Sequence, residues 1–193
     1  MSSKDFLNNT NLQHWEILDS HEVFAAKQWI KVFQQQVRLP NGTVISDYHQ
    51  IALGEFAVVF AQIADGSVIV ERQYKHGSRK VSLVMPAGSI EPGEEPMFAA
   101  QRELLEETGY GSDSWESVGE FIGNGNYGCG KAHLFVAKDA CKVQEPDSGD
   151  LEEMEIVLMK PSELTNALLD GQFHMLGSVA MIALMLLRLA NNR

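Results

Sequence analysis

The segment Pro96–Thr108 constrains this chain most, because its residues suit a helix while its charges repel one another along it. Pro96 fits a first helical turn, where a missing N–H costs nothing, and Gly109 is the residue type that most readily ends a helix. At about 100° per residue, Glu103, Glu106 and Glu107 fall within an arc of roughly 100°, and Met97, Phe98, Leu104 and Leu105 fall opposite. The spacing therefore predicts one face against a core and three carboxylates stacked on the other. Like charges at these spacings destabilise a helix by ~0.2–0.5 kcal/mol per pair, and no Lys or Arg follows four residues on to relieve them. A divalent cation would. Hard carboxylate oxygens match Mg²⁺ or Mn²⁺, and Mg²⁺ commonly arrives with a phosphorylated substrate.

The net charge of this 193-residue chain is −11, and it is concentrated. Gly88–Tyr110 holds six Glu and one Arg, Glu145–Glu155 holds six acids and no base, and the remainder balances at 14 acids and 14 bases. The acidity thus marks two places. It also argues against a nucleic-acid partner, which requires a basic face.

Elsewhere the patterns alternate between strand and helix. Trp29–Val37 has strand period, Leu39–Gly42 is a turn and Thr43–Ile51 returns, so the first ~55 residues read as β-rich, with a weak helix signal before Trp29. Glu55–Gln62 and Ser67–Gln73 are apolar runs joined at Asp65-Gly66. Glu116–Ile122 and Ala132–Ala137 read as strands around a Gly-rich loop, Glu155–Lys160 as another strand, and Pro161–Leu169 and His174–Ala190 as helices. This is a mixed α/β order. The boundaries expected are a β-rich region over 1–54 and a mixed α/β domain over 55–193.

The acidic helix lies within Gly88-x5-Glu94-x7-Arg102-Glu103-Leu104-x-Glu106-Glu107-x-Gly109-Tyr110, which resembles the Nudix box, G-x5-E-x7-R-E-U-x-E-E-x-G-U. A chance match to its seven fixed letters is on the order of 10⁻⁸ per window. The one departure is Tyr110, at a packing position usually held by a small aliphatic residue. The resemblance implies an α/β/α sandwich with a mixed sheet that hydrolyses a nucleoside diphosphate linked to another group. It implies that Glu103 and Glu107 are the principal ligands of Mg²⁺ or Mn²⁺, with Glu106 and the carbonyl of Ala87 assisting. Arg102 and Glu94 hold loop and helix in register, which makes Arg102 part of the catalytic set.

Leu39–Gly42, Arg72–Gly77, Met85–Gly88 and Glu152–Ile156 with the following helices extend the resemblance to ADP-ribose pyrophosphatases and related nucleoside-diphosphate-sugar hydrolases, over roughly Trp29 to Leu189. In that subgroup the N-terminal β-region pairs two subunits, often with swapped strands. Glu152, with Glu153 next, matches the position of the loop carboxylate that activates water. Arg72, Lys75, Arg79 and Lys80 place four cations within nine residues before the box, where phosphates would be clamped. Asn124 in the Gly-rich loop would line the sugar end, and Trp29 is a candidate to stack on a base. Where these enzymes typically carry Pro in that loop, this chain has Gly125, so the substrate stays open. The loop also spells G-x-G-x-x-G, yet it lies between two strands with no helix after it, unlike a dinucleotide fingerprint.

The expectation is a homodimeric, cytoplasmic, Mg²⁺-dependent Nudix hydrolase of a nucleotide sugar. The alternatives are another nucleotide substrate (a dinucleoside polyphosphate, a coenzyme or an oxidised nucleotide) and a non-catalytic nucleotide sensor. The N-terminus lacks a signal-peptide pattern, and the longest apolar run, Met175–Leu187, has 13 residues where a membrane span needs ~20. Cys129 and Cys141 have no metal-finger spacing and are too few for a disulfide framework.

Overall fold

The structure is a computed structural model that describes residues 11–27, 29–149 and 153–191. The chain divides into two compact units: the described residues through Leu53 with Asn126–Cys129, and Gly54–Gly125 with the described residues from Gly130 onward.

The first unit is a three-stranded antiparallel sheet with β2 (Ile30–Arg38) between β1 (Glu16–Ala26) and β3 (Val44–Leu53). Its β2–β3 turn closes through Leu39 N–H to Thr43 O (2.8 Å) and Gly42 N–H to Leu39 O (2.9 Å). The weak helix signal before Trp29 is overturned: that stretch is β1. Shifts of register between Ile17 and Asp19 and between Glu22 and Phe24 break its alternation, so its sequence does not show the period of two. Pairing along the whole of β2 overrides the local preference. The sheet has little core of its own, with Val37 the one fully buried apolar side chain among its described residues.

The second unit carries an eight-stranded mixed sheet. Its path is β11 (Met154–Met159), β5 (Val68–Lys75), β4 (Phe56–Ile63), β10 (Cys129–Lys142) and β8 (Tyr110–Gly111). β6 (Lys80–Val84), β7 (Ala87–Ser89) and β9 (Ser114–Asn124) join β5, β4 and β10 respectively. β4 and β10 run parallel. Helix α1 (Pro96–Thr108) covers one face, packing Ala99, Ala100 and Leu104 on Ala57, Val59, Ala61 and Phe135. Helices α2 (Pro161–Leu169) and α3 (Leu176–Asn191) cover the other, where Leu164, Met181 and Ile182 meet Val58, Phe60 and Leu134. With helices on both faces, β4 is apolar from Phe56 to Ala61 rather than alternating. This is the α/β/α sandwich that the resemblance implies. No helix among the described residues is long and apolar enough to cross a membrane.

Helix α1 ends at Gly109, whose left-handed φ of 74° lets its N–H reach Leu105 O. Its carbonyl accepts from Val143 N–H (2.9 Å) and Gln144 N–H (3.2 Å), and a Cβ there would collide with Gln144 O. Gly109→Ala is therefore expected to cost at least ~2 kcal/mol, read as a lowered thermal midpoint. Gly111→Ala, whose Cβ would meet only the Val143 side chain at 3.6 Å, should leave the midpoint nearly unchanged.

Candidate active site

The loop before α1 and the acidic face of α1 are joined by Arg102. Its Nε and Nη2 grip Glu94 Oε1 and Oε2, both at 3.0 Å, and Nη2 also donates to Ser89 O at 3.0 Å. Its Nη1 donates to Glu103 Oε1 (2.7 Å) and Glu106 Oε2 (3.1 Å). The relief of like charges thus comes from a cation preceding the carboxylates rather than following them. Arg102 holds the Glu94 carboxyl below its ordinary range, and Glu94 Oε2 in turn accepts from Glu91 N–H at 2.9 Å.

One expectation for the apolar face of α1 is corrected. Phe98 is exposed rather than packed, because the apolar contacts are made by the small Ala99 and Ala100 one and two residues on. On the acidic face, Glu107 is buried, at 4% exposure. Its Oε2 accepts from Ala87 N–H at 2.9 Å. Burial first, then the Glu71 and Glu103 carboxylates, push its carboxyl up from 4.5 to about 10, against the opposing pull of Ala87 N–H and Lys75. Glu103 lies over Gly88, where a Cβ would collide with its carboxylate. The glycine is the floor of the cluster.

Glu71 is the member that sequence reading missed. On β5, Glu71 and Gln73 are buried and Lys75 half-buried, while Arg72 and Tyr74 point outward. The signal was the period of two continuing past the apolar run Val68–Val70, which puts Glu71, Gln73 and Lys75 on the face of Ile69. Gln73 Nε2 donates to Glu71 Oε2 at 3.0 Å.

The structure brings together Ala87, Arg102, Glu103, Glu106, Glu107 and Lys75, and adds Glu71 and Glu94. Arg72 lies on the opposite side of β5 and pairs at 2.6 Å with Glu155, its cross-strand neighbour on β11. Arg79 is exposed in the β5–β6 turn with φ of 55°. Asn124 is exposed at the end of β9, and Trp29 is 67% exposed in the β1–β2 turn of the other unit. Glu153 is exposed beside Arg72 and Glu155, and Glu152 lies outside the described residues. The second acidic stretch begins against α1, through Asp147 N–H to Glu106 O at 2.8 Å.

A divalent cation fits this donor set. Three buried or half-buried carboxylates converge over a glycine floor, and ionising them together in a low dielectric requires a compensating positive charge. As the side chains stand, no three such groups among the described residues form a closed ligand set. Glu103 and Glu106 are held by Arg102, and Glu107 by Ala87. Beside the cluster lies a cavity of about 510 Å³ lined by β4, β5, β9, β10 and the start of α3.

Residues 55–176 match the family described as NUDIX domain, and residues 15–51 match the nucleoside diphosphate sugar hydrolase N-terminal domain. An ADP-ribose pyrophosphatase of Bacillus subtilis (strain 168) is 30% identical over 148 residues, covering 76% of this chain and 77% of its own length. A methanol dehydrogenase activator of Bacillus methanolicus is 30% identical over 151 residues, covering 78% and 80%. The crystal structure of an ADP compounds hydrolase matches the fold with a TM-score of 0.80 at 24% identity, over 95% of this chain and 98% of that one. The chain belongs to the Nudix hydrolases, with the N-terminal domain of the nucleoside diphosphate sugar hydrolases.

Proposed function

We propose that this Nudix pyrophosphohydrolase cleaves the diphosphate of ADP-ribose or a related nucleoside diphosphate sugar, with Mg²⁺ as its cation and Mn²⁺ able to replace it. The observation that carries the reading is the convergence of Glu71, Glu103 and Glu107 beside Lys75, a site that gains from a divalent cation and from the anion such a cation brings. The match to the sugar-hydrolase N-terminal domain and the name of the Bacillus subtilis relative support the substrate class.

Glu103, Glu106, Glu107 and the main-chain carbonyl of Ala87 would hold the cation. When bound, the cation neutralises charge on the diphosphate. Lys75 receives a phosphate group, because it is the cation of the basic stretch that acts on Glu107. Water adds to one phosphorus as the bridging oxygen leaves with the other, giving a nucleoside monophosphate and a sugar phosphate. The water's proton passes to a carboxylate of the second acidic stretch, with Glu152 as the candidate. Two copies pair through the N-terminal sheets, whose Ile17, Phe24 and Trp29 side chains are more than half exposed.

With ADP-ribose and Mg²⁺, release of AMP and ribose 5-phosphate is expected, lost on chelation and reduced at least about 100-fold in Glu103→Gln and Glu107→Gln. Near-native turnover in these variants would reject the ligand assignment.

Because the Glu107 carboxyl is raised, the folded chain keeps a proton that the unfolded chain has lost. Its stabilising contribution is complete below about 4.5 and is lost as pH climbs toward about 10. Without divalent cation, the thermal midpoint should fall more steeply from pH 5 to pH 9 in the native chain than in Glu107→Gln, and Mg²⁺ should restore it at pH 9. Equal slopes would remove the basis for this.

For the dimer, light scattering should give twice the 21.4 kDa chain mass, falling to the monomer in Ile17→Asp with Phe24→Asp.

A further inference from the structure

Four charged side chains meet away from the carboxylate cluster, at the strands that flank the Gly-rich loop. His133 of β10 is 5% exposed and lies beside Ala57 of β4, on the sheet face that α1 covers. Its Nε2 donates to Glu55 Oε2 at 2.6 Å, and its Nδ1 faces Glu120 Oε1 of β9 at 3.6 Å. Lys131 Nζ spans the same two carboxylates, 3.3 Å from Glu55 and 3.1 Å from Glu120. Among the described residues the four make ion pairs only with one another. On this face α1 packs on Ala57 and Phe135, the neighbours of His133 across and along the sheet, with Ala99, Ala100 and Leu104, which carry no charge.

Both ring nitrogens of His133 thus face carboxylate oxygens, and only the imidazolium has an N–H for each. A neutral ring that donates to Glu55 would turn the lone pair of Nδ1 toward Glu120. The charges agree, since two acids and two bases cancel with the imidazolium, whereas the neutral ring leaves a negative charge uncompensated. The stretch held in this way has little packing of its own, because every residue of β9 from Glu120 to Asn124 is exposed. Phe121, Ile122 and Gly123 of that stretch nevertheless line the cavity beside the carboxylate cluster, as do Gly130 and Ala132 of β10.

We propose that His133 is a positioning residue for substrate binding: as the imidazolium it fixes Glu120 and with it the β9 wall of the cavity, and loss of its proton releases that wall. The proposal rests on the carboxylate cluster being the diphosphate site, which places a substrate against this wall. Because the proton favours the tethered form, tethering is complete at low pH and is lost as pH rises through the range where histidine changes charge.

Amide hydrogen exchange of the full-length chain, corrected for the intrinsic pH dependence of exchange, reads the tether directly. Protection of Phe121–Gly123 relative to Val136, a buried residue of β10, should fall at least about threefold from pH 5.5 to pH 8.5, the scale of a partly exposed ion pair. The comparison with Val136 removes changes in global stability, and the midpoint should coincide with the titration of the His133 ring followed by NMR. Glu120→Gln keeps the side chain's shape at an exposed position and should hold the ratio at its high-pH value throughout. With Mg²⁺ and an ADP-ribose analogue whose bridging oxygen is replaced by a methylene group, calorimetry should show the native chain binding about threefold more tightly than Glu120→Gln at pH 5.5 and equally at pH 8.5. A flat native exchange ratio, or a pH dependence that Glu120→Gln retains, overturns the positioning role, and so does an equal affinity of the two chains at pH 5.5. Turnover of ADP-ribose is scored separately: a chain that hydrolyses nothing yet shows the tether and the affinity difference keeps this role for His133 and loses the proposed reaction.

Discussion

Arg102 directs all five of its N–H donors into the protein: two to Glu94, one to Ser89 O, and one each to Glu103 and Glu106. A planar fork of this kind fixes angles as well as distances, which a lysine ammonium cannot do. The consequence is that the loop from Gly88 to Glu94 and the acidic face of α1 form one rigid piece. The Glu103 carboxylate lies on Gly88 because that piece is held in register, and Glu107 meets Ala87 N–H because the strand bearing Ala87 leads into the same loop. Outward, α1 is anchored by Ala99, Ala100 and Leu104 on the sheet. Its far end is anchored by the carbonyl of Gly109, which holds Val143 and Gln144.

This frame holds acids together against their own repulsion. Burying a carboxylate is costly, and burying several within interaction distance more so. The fold accepts that cost at Glu71 and Glu107, both almost wholly removed from water, where Gln73 and Ala87 donate hydrogen bonds to them. Arg102, a full cation, is directed to Glu94, Glu103 and Glu106 rather than to this buried pair. The guanidinium thus serves the half-buried acids, and Lys75 is the side-chain cation that acts on the buried Glu107.

Much of this was legible in the residues. Helices α1 and α2 have the bounds that Pro96, Gly109, Pro161 and the apolar spacing indicate, because proline and glycine act locally and their effects do not depend on distant partners. The strands around the Gly-rich loop and the absence of a helix after it were legible for the same reason. What could not be read depended on tertiary pairing. β1 is a strand because β2 pairs with it along its length, and its bulges hide the alternation. Phe98 is exposed because helix α1 approaches the sheet closely through alanines, which a wheel of apolar residues does not reveal. Arg72 is turned from the acidic cluster by the pleat of β5, and the same pleat brings in Glu71. Charge counted along the sequence groups these two neighbours, whereas the strand separates them.

The Gly-rich loop carries a consequence of a different kind. Its tip, Asn126–Cys129, groups with the N-terminal sheet, where Tyr48 Oη and Gln50 Nε2 both donate to Asn126 O and Ile51 N–H donates to Tyr127 O. Every one of these bonds ends on a main-chain carbonyl of the loop, so none depends on which side chains the loop carries. Gly128 is the exception: its φ is 67°, and a Cβ there would press on Gln50 Oε1. These anchors therefore constrain the path of the loop's main chain, and at Gly128 they leave no room for a side chain beside Gln50.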